Sequence, residues 1–284
     1  MFVSSAVTID TFREFCDNIA NIPEPWLREE HMDVGGGTIS IADIDRIKEF
    51  SQADVVTISG LNQVTFEYFI KTYGNQFKAI RFFKNKLVSD WSLLGELPQL
   101  EFVYWFFNQR ISSFWDMSKN TSLKAIAIED FCKLESLERI HTAPALEWLS
   151  IGDAVWKTTV IDGYKPLKNT HLKRIDFYGG KVLDTDFSFV LDMPSLKELN
   201  FSPKLLTTEQ VAWIVANRPD LQGWCLGPAE IVIGSRTEAD EKFVEVTGKG
   251  KRGFSLKGNE KRLKKIEEDF QRFVERYRGA SYPL

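Results

Sequence analysis

A six-residue block that returns seven times at a nearly fixed interval limits what this chain can fold into. The blocks are FKAIRF from Phe77, LEFVYW from Leu100, LKAIAI from Leu123, LEWLSI from Leu146, LKRIDF from Leu172, LKELNF from Leu196 and LQGWCL from Leu221. Their starts lie 23, 23, 23, 26, 24 and 25 residues apart. Apolar residues hold the first, fourth and sixth positions throughout. The fourth column runs Ile80, Val103, Ile126, Leu149, Ile175, Leu199 and Trp224, and the sixth Phe82, Trp105, Ile128, Ile151, Phe177, Phe201 and Leu226. A weaker unit, ADVVTI from Ala53, comes before them. Unrelated strands of a sandwich would show no such period. A unit this short cannot bury its apolar side alone, so neighbours must stack into one parallel sheet over a shared core.

The pattern L-x-x-L-x-L-x-x-N at this period resembles the leucine-rich repeat family, over roughly residues 53–228. Asn85 and Asn108 occupy the ninth position, and NKLVSDWSLLGELPQL is similar to the bacterial internalin-like repeat type. Phe131, Ala154, Gly180 and Lys204 replace the asparagine in later units, so a broken asparagine ladder and irregular turns are expected there. The resemblance implies an α/β fold: a leucine-rich repeat solenoid of about eight units with a parallel β-sheet on its concave face and a bacterial source.

Caps are expected at both ends. Residues 1–52 read as a helical N-terminal cap, with Thr11 and Glu14 in a capping-box pattern and Ile41, Ile44 and Ile47 on one side of a second helix. A third helix, VTFEYFIKTYG, should end at Gly74, and Thr208 should cap a helix carrying Val211, Ile214 and Val215. The insertion GDAVWKTTVIDGYKPLKNTH predicts a longer loop on the outer face. Residues 229–284 read as a C-terminal cap, with strands EIVIG and KFVEVTG and then an amphipathic helix. That helix carries Leu263, Ile266, Phe270, Phe273 and Tyr277 on one stripe, with Asn259 at its N-cap and Gly279 after its end.

Side chains alternate across a strand, so third, fifth and seventh positions face away from the core. That surface gathers Phe83, Phe102, Tyr104, Phe106 and Trp148, with Arg81 and Glu129 beside them and Arg174, Asp176 and Tyr178 as a polar continuation. Ala125, Ala127, Ser150 and Gly152 would leave a shallow trough. Large apolar patches seldom lie unused in water, and aromatics with arginine dominate interface hot spots. The expectation is therefore a concave face that binds a protein or peptide. Coverage by the chain's own N-terminal segment, or a shifted facing, would also account for the pattern. If the face is open, Tyr104→Ala with Phe106→Ala should leave stability nearly intact.

Chemistry is sparsely signalled. His31, His141 and His171 are dispersed, and no metal-ligand spacing occurs, so neither metal nor cofactor is expected. Cys225 falls on the outward face by this alignment, with no histidine placed to activate it. VGGGT at 34–38 lacks the lysine of a phosphate loop. Residues 249–265 hold eight Lys or Arg and one Glu, read as the solvated side of a turn and helix start. With a net charge of −4, nucleic acid is not expected as a partner. Three cysteines far apart, a start without a signal-like pattern and no long apolar run suggest a cytoplasmic protein. The functional expectation is a non-catalytic interaction module. Alternatives are a bacterial immunity or regulatory protein acting on a toxin or enzyme, and an enzyme with an unrecognised site on the sheet.

Overall fold

The computed structural model describes residues 7–9, 12, 26–27, 37–153, 155, 159–179, 181–233 and 242–283. In chain order its elements are β1 (Trp26–Leu27), α1 (Ile41–Ile44), β2 (Val55–Ser59), α2 (Gln63–Tyr73), β3 (Ala79–Phe83), β4 (Phe102–Asn108), β5 (Ala125–Phe131) and β6 (Trp148–Gly152). There follow β7 (Val160–Ile161), β8 (Arg174–Phe177), β9 (Lys181–Val182), β10 (Glu198–Phe201), α3 (Thr208–Asn217), β11 (Ala229–Ile233), β12 (Lys242–Val246), β13 (Phe254–Ser255) and α4 (Glu260–Tyr277).

Eight strands form one parallel sheet in the order β1-β2-β3-β4-β5-β6-β8-β10. Its register turns each sequence column into a row: Ile80 pairs with Val103, Val103 with Ile126, Ile126 with Leu149, Leu149 with Ile175, and Ile175 with Leu199. Behind this sheet lies the main core. There Trp105 stacks on Phe82 at 4.2 Å and meets Trp91 edge-on at 5.7 Å. Most returning segments are short 3₁₀ turns, such as Ser92–Glu96 and Ser188–Asp192. The insertion after β6 adds the small parallel pair β7–β9. Helices form where a cap and an apolar stripe coincide. Asn62 and Thr65 cap α2 reciprocally, each bond 3.0 Å. For α3 the cap is Thr207 with Gln210, one residue earlier than expected.

Two buried asparagines tie the first turns together. Asn85 Nδ2 donates to the Ile58 carbonyl, and its Oδ1 accepts from Leu61 N. Asn108 donates to the carbonyls of Asn85 and Val88 and accepts from Arg110 N and Ile111 N. At Phe131 this support stops. The preceding Asp130 instead accepts from Val155 N.

The expected leucine-rich repeat solenoid, with one core and an open concave face, is not what forms. The protein is a mixed α/β fold whose parallel sheet is packed on both faces, joined to a separate three-stranded antiparallel sheet, β11-β12-β13. On the front face a second core buries Phe102, Tyr104, Phe106, Phe107, Ala125, Ala127 and Trp148 beneath Phe12, with Val7 and Ile9 packed against it. The physical reason is the size of the apolar face, which water would not leave bare.

The unbroken apolar run in β4 follows from this arrangement. Val103 and Trp105 enter the rear core, while Phe102, Tyr104 and Phe106 enter the front one. Phe107 breaks the alternation because its φ is +64°, which turns a second consecutive phenylalanine toward the front. Lys84, just after β3, and Asp130, the last residue but one of β5, hold the same left-handed position, at φ of +57° and +55°.

The last block departs from the alignment by one residue. Glu198 bridges to Gln222 rather than to Gly223, so Trp224 faces outward and Cys225 enters the rear core. A Cβ on Gly223 would lie 2.1 Å from the Leu199 carbonyl oxygen, so only glycine permits this approach.

At the C-terminal end, α4 lies against both the small sheet and α3. Leu263 and Ile266 pack on Val244, Val246 and Phe254, whereas Phe270 and Val274 join the main core. Trp213 Nε1 donates to the Ala280 carbonyl at 2.7 Å, which fixes the tail to α3. Asn259 precedes α4 but makes no side-chain cap, and its Nδ2 turns back to the Ser255 carbonyl. The capping-box pair Thr11 and Glu14, most of VGGGT, and Cys16, His31, Ala154 and Gly180 lie outside the described residues.

Candidate functional site

The ten residues expected on the outward face do share it, but they divide into a covered group and an accessible one. Arg81, Phe102, Tyr104, Phe106, Trp148 and Asp176 are buried, while Phe83, Glu129, Arg174 and Tyr178 are half-buried. The open aromatic surface expected from the sequence is thus a core. Phe12 lies 5.4 Å from the Phe102 ring and meets Trp148 edge-on at 5.3 Å. Arg81 is enclosed, its guanidinium carbon 5.1 Å from the Tyr104 ring centre and 5.9 Å from that of Phe83. Tyr104 OH donates to Glu129 Oε2 at 3.2 Å, and Phe83 stacks on Phe106 at 5.2 Å.

The polar continuation is built around Asp176. Its Oδ1 accepts from Asn200 Nδ2 at 2.8 Å and Tyr178 OH at 3.0 Å. Its Oδ2 accepts from Trp148 Nε1 at 2.6 Å and Arg174 Nε at 2.8 Å. Four donors use the capacity of both carboxylate oxygens. Asp176 therefore acts as a clamp on these four side chains. Arg174 lies over Trp148, its guanidinium carbon 4.3 Å from the ring centre, and its NH1 pairs with Glu198 at 3.0 Å. Burial acts against the Arg174 charge. The bond to Asp176 and the nearby Glu198 outweigh it and hold the pKa above its ordinary value.

Trp224 completes this surface, although the alignment had placed it in the core. It is 38% exposed and stacks on Tyr178, with ring centres 6.5 Å apart and planes within 7°. Its backbone N–H donates to Asn200 Oδ1 at 3.2 Å, which links it to the Asp176 network. The signal for the slip was Gly223, whose missing side chain lets the backbone close on β10.

Cys225, expected outward, lies in the rear core, and burial pushes its thiol up to about 12. A thiol so held is no nucleophile near neutral pH. His141 and His171 are exposed. Among the described residues no His, Cys, Asp and Glu group could hold a metal ion, and no helix is long and apolar enough to cross a membrane. No protein-family model matches the chain, and no curated protein matches it significantly.

Proposed function

We propose that this protein is a non-catalytic binding module that takes a protein or peptide partner on the uncovered end of the front face, around Arg174, Tyr178, Glu198 and Trp224. The observation that carries this reading is the stack of exposed Trp224 on half-buried Tyr178 beside Arg174, held in place by the saturated Asp176. Tryptophan, tyrosine and arginine are the residue types that most often anchor interfaces. Side chains fixed before binding lose little freedom when a partner arrives. The buried aromatics assigned to this role from the sequence instead brace the site from beneath, through Trp148.

Trp224→Ala tests the reading, because a side chain this exposed can be removed with little harm to the fold. Wild type and variant would be compared for retained partners from the source organism's lysate, with unfolding midpoints measured alongside. A hot-spot role predicts that one partner's binding weakens by at least about 2 kcal/mol. Equal retention by a folded variant overturns the proposal.

A further inference from the structure

A second surface, far along the chain from Trp224, has its own chemistry. A cleft of about 690 Å³ opens between α4 and the segment joining β12 to β13. Its floor is apolar, formed by Ile266, Phe270 and Phe273 of α4. Its rim is cationic. Lys251 and Arg252 rise from the turn, and Arg262 and Arg276 stand at the two ends of the helix stripe. Arg262 is braced with its guanidinium carbon 4.0 Å over the Phe254 ring. Arg272 is already paired with Asp269. Among the described residues, none of the four rim cations makes an ion pair. Three of them, Lys251, Arg252 and Arg262, belong to the basic run at 249–265.

We infer that this cleft binds an acidic peptide segment of a partner protein, with carboxylates on the rim cations and one large apolar side chain on the α4 floor. Charge complementarity requires an anion at the rim, since unpaired cations around a concave site raise its local potential. The floor selects among anions. Inorganic phosphate or polyphosphate would set nothing against Ile266, Phe270 and Phe273. A peptide with glutamates flanking an aromatic residue satisfies both rim and floor, and the volume falls within the roughly 300–1,000 Å³ of small-ligand sites.

The test is fluorescence anisotropy with a fluorescein-labelled glutamate-rich peptide carrying one phenylalanine. Wild-type protein should bind it, more weakly as salt rises from about 50 to about 200 mM. Arg252→Glu and Arg276→Glu should each weaken binding by about tenfold or more. Lys264→Glu alters the same helix outside the cleft, where Lys264 pairs with Glu268, and should change binding by less than about twofold. Replacing the peptide's phenylalanine with serine should cost about fivefold or more. Arg252→Gln and Arg276→Gln keep the side-chain bulk and serve if a charge reversal perturbs the fold. The inference is overturned if wild type does not bind, if Lys264→Glu costs as much as the rim variants, or if the serine peptide binds equally well. It is also overturned if inorganic phosphate or a short single-stranded oligonucleotide displaces the peptide at lower concentration than unlabelled peptide does. None of these variants touches Trp224, so the outcome is independent of the front-face proposal.

Discussion

Phe12→Ala tests the claim that the front face is a core. Phe12 has 0% of its surface exposed and contacts Phe102 and Trp148. Its neighbours belong to a hydrogen-bonded sheet and cannot move in to fill the gap, so the loss should approach the roughly 3–5 kcal/mol seen for Phe→Ala in packed cores. A limit applies. Among the described residues the half-buried Val7 and Ile9 also pack on this cluster. If these contacts give way once the phenylalanine is gone, the loss stops at the free energy of docking them. The expected cost is therefore about 3 kcal/mol, at the lower end of that range. Lifting exposes Phe102, Tyr104, Phe106 and Trp148, so anilinonaphthalene sulfonate fluorescence should rise below the unfolding transition. Phe102→Ala, in a central strand that cannot lift away, should cost about 4 kcal/mol or more with less dye binding. Urea unfolding followed by circular dichroism measures both. If Phe12→Ala stays within about 0.5 kcal/mol of wild type with no gain in dye binding, while Phe102→Ala destabilises, Phe12 does not hold this face closed. For the same reason Tyr104→Ala with Phe106→Ala should destabilise the fold, the reverse of what an open face implies.

Three further outcomes follow from individual sites. Asn108→Ala strands two N–H groups and two carbonyls around a fully buried position, so urea unfolding should show a loss of at least about 2 kcal/mol. A loss under about 1 kcal/mol would mean the turn does not depend on it. The Asp45 carboxyl is held down at about 2, chiefly by the Tyr68 and Tyr73 hydroxyls and then by Lys48. A depressed folded-state pKa stabilises above the unfolded value near 4, and that contribution fades as pH falls from about 4 to about 2. Asp45→Asn should accordingly be less stable than wild type near pH 6, with the difference largely gone near pH 2 by urea midpoints, whereas an equal offset at both would contradict this. In a Cys16→Ser background, Cys225 should resist thiol reagents until the protein unfolds, while half-buried Cys132 reacts first. Rapid labelling of native Cys225 would contradict its burial.

Much of the sheet was legible because alternation along a strand is a local property of the backbone. The columns became rows, and Ile80, Val103, Ile126, Leu149, Ile175 and Leu199 meet as neighbours. Asn85 and Asn108, at the ninth positions of their units, close the turns there. Alignment failed where a backbone constraint outweighed the apolar pattern. At Gly223 close approach to Leu199 shifted the last unit and exchanged the roles of Trp224 and Cys225. Of the proposed site, Arg174, Asp176 and Tyr178 were legible as neighbours on the outward face, while Glu198 and Trp224 were not singled out.

Apart from Phe107 and the last unit, residue order therefore determined which side chains share each face of the sheet, because a period of two belongs to the strand itself. Tertiary structure decided what covers those faces. Phe12 reaches Phe102 and Trp148, and Lys251 comes to stand opposite Arg276, only after distant segments dock. Such contacts depend on the whole chain finding the arrangement that removes most apolar surface from water, and no local period records that choice.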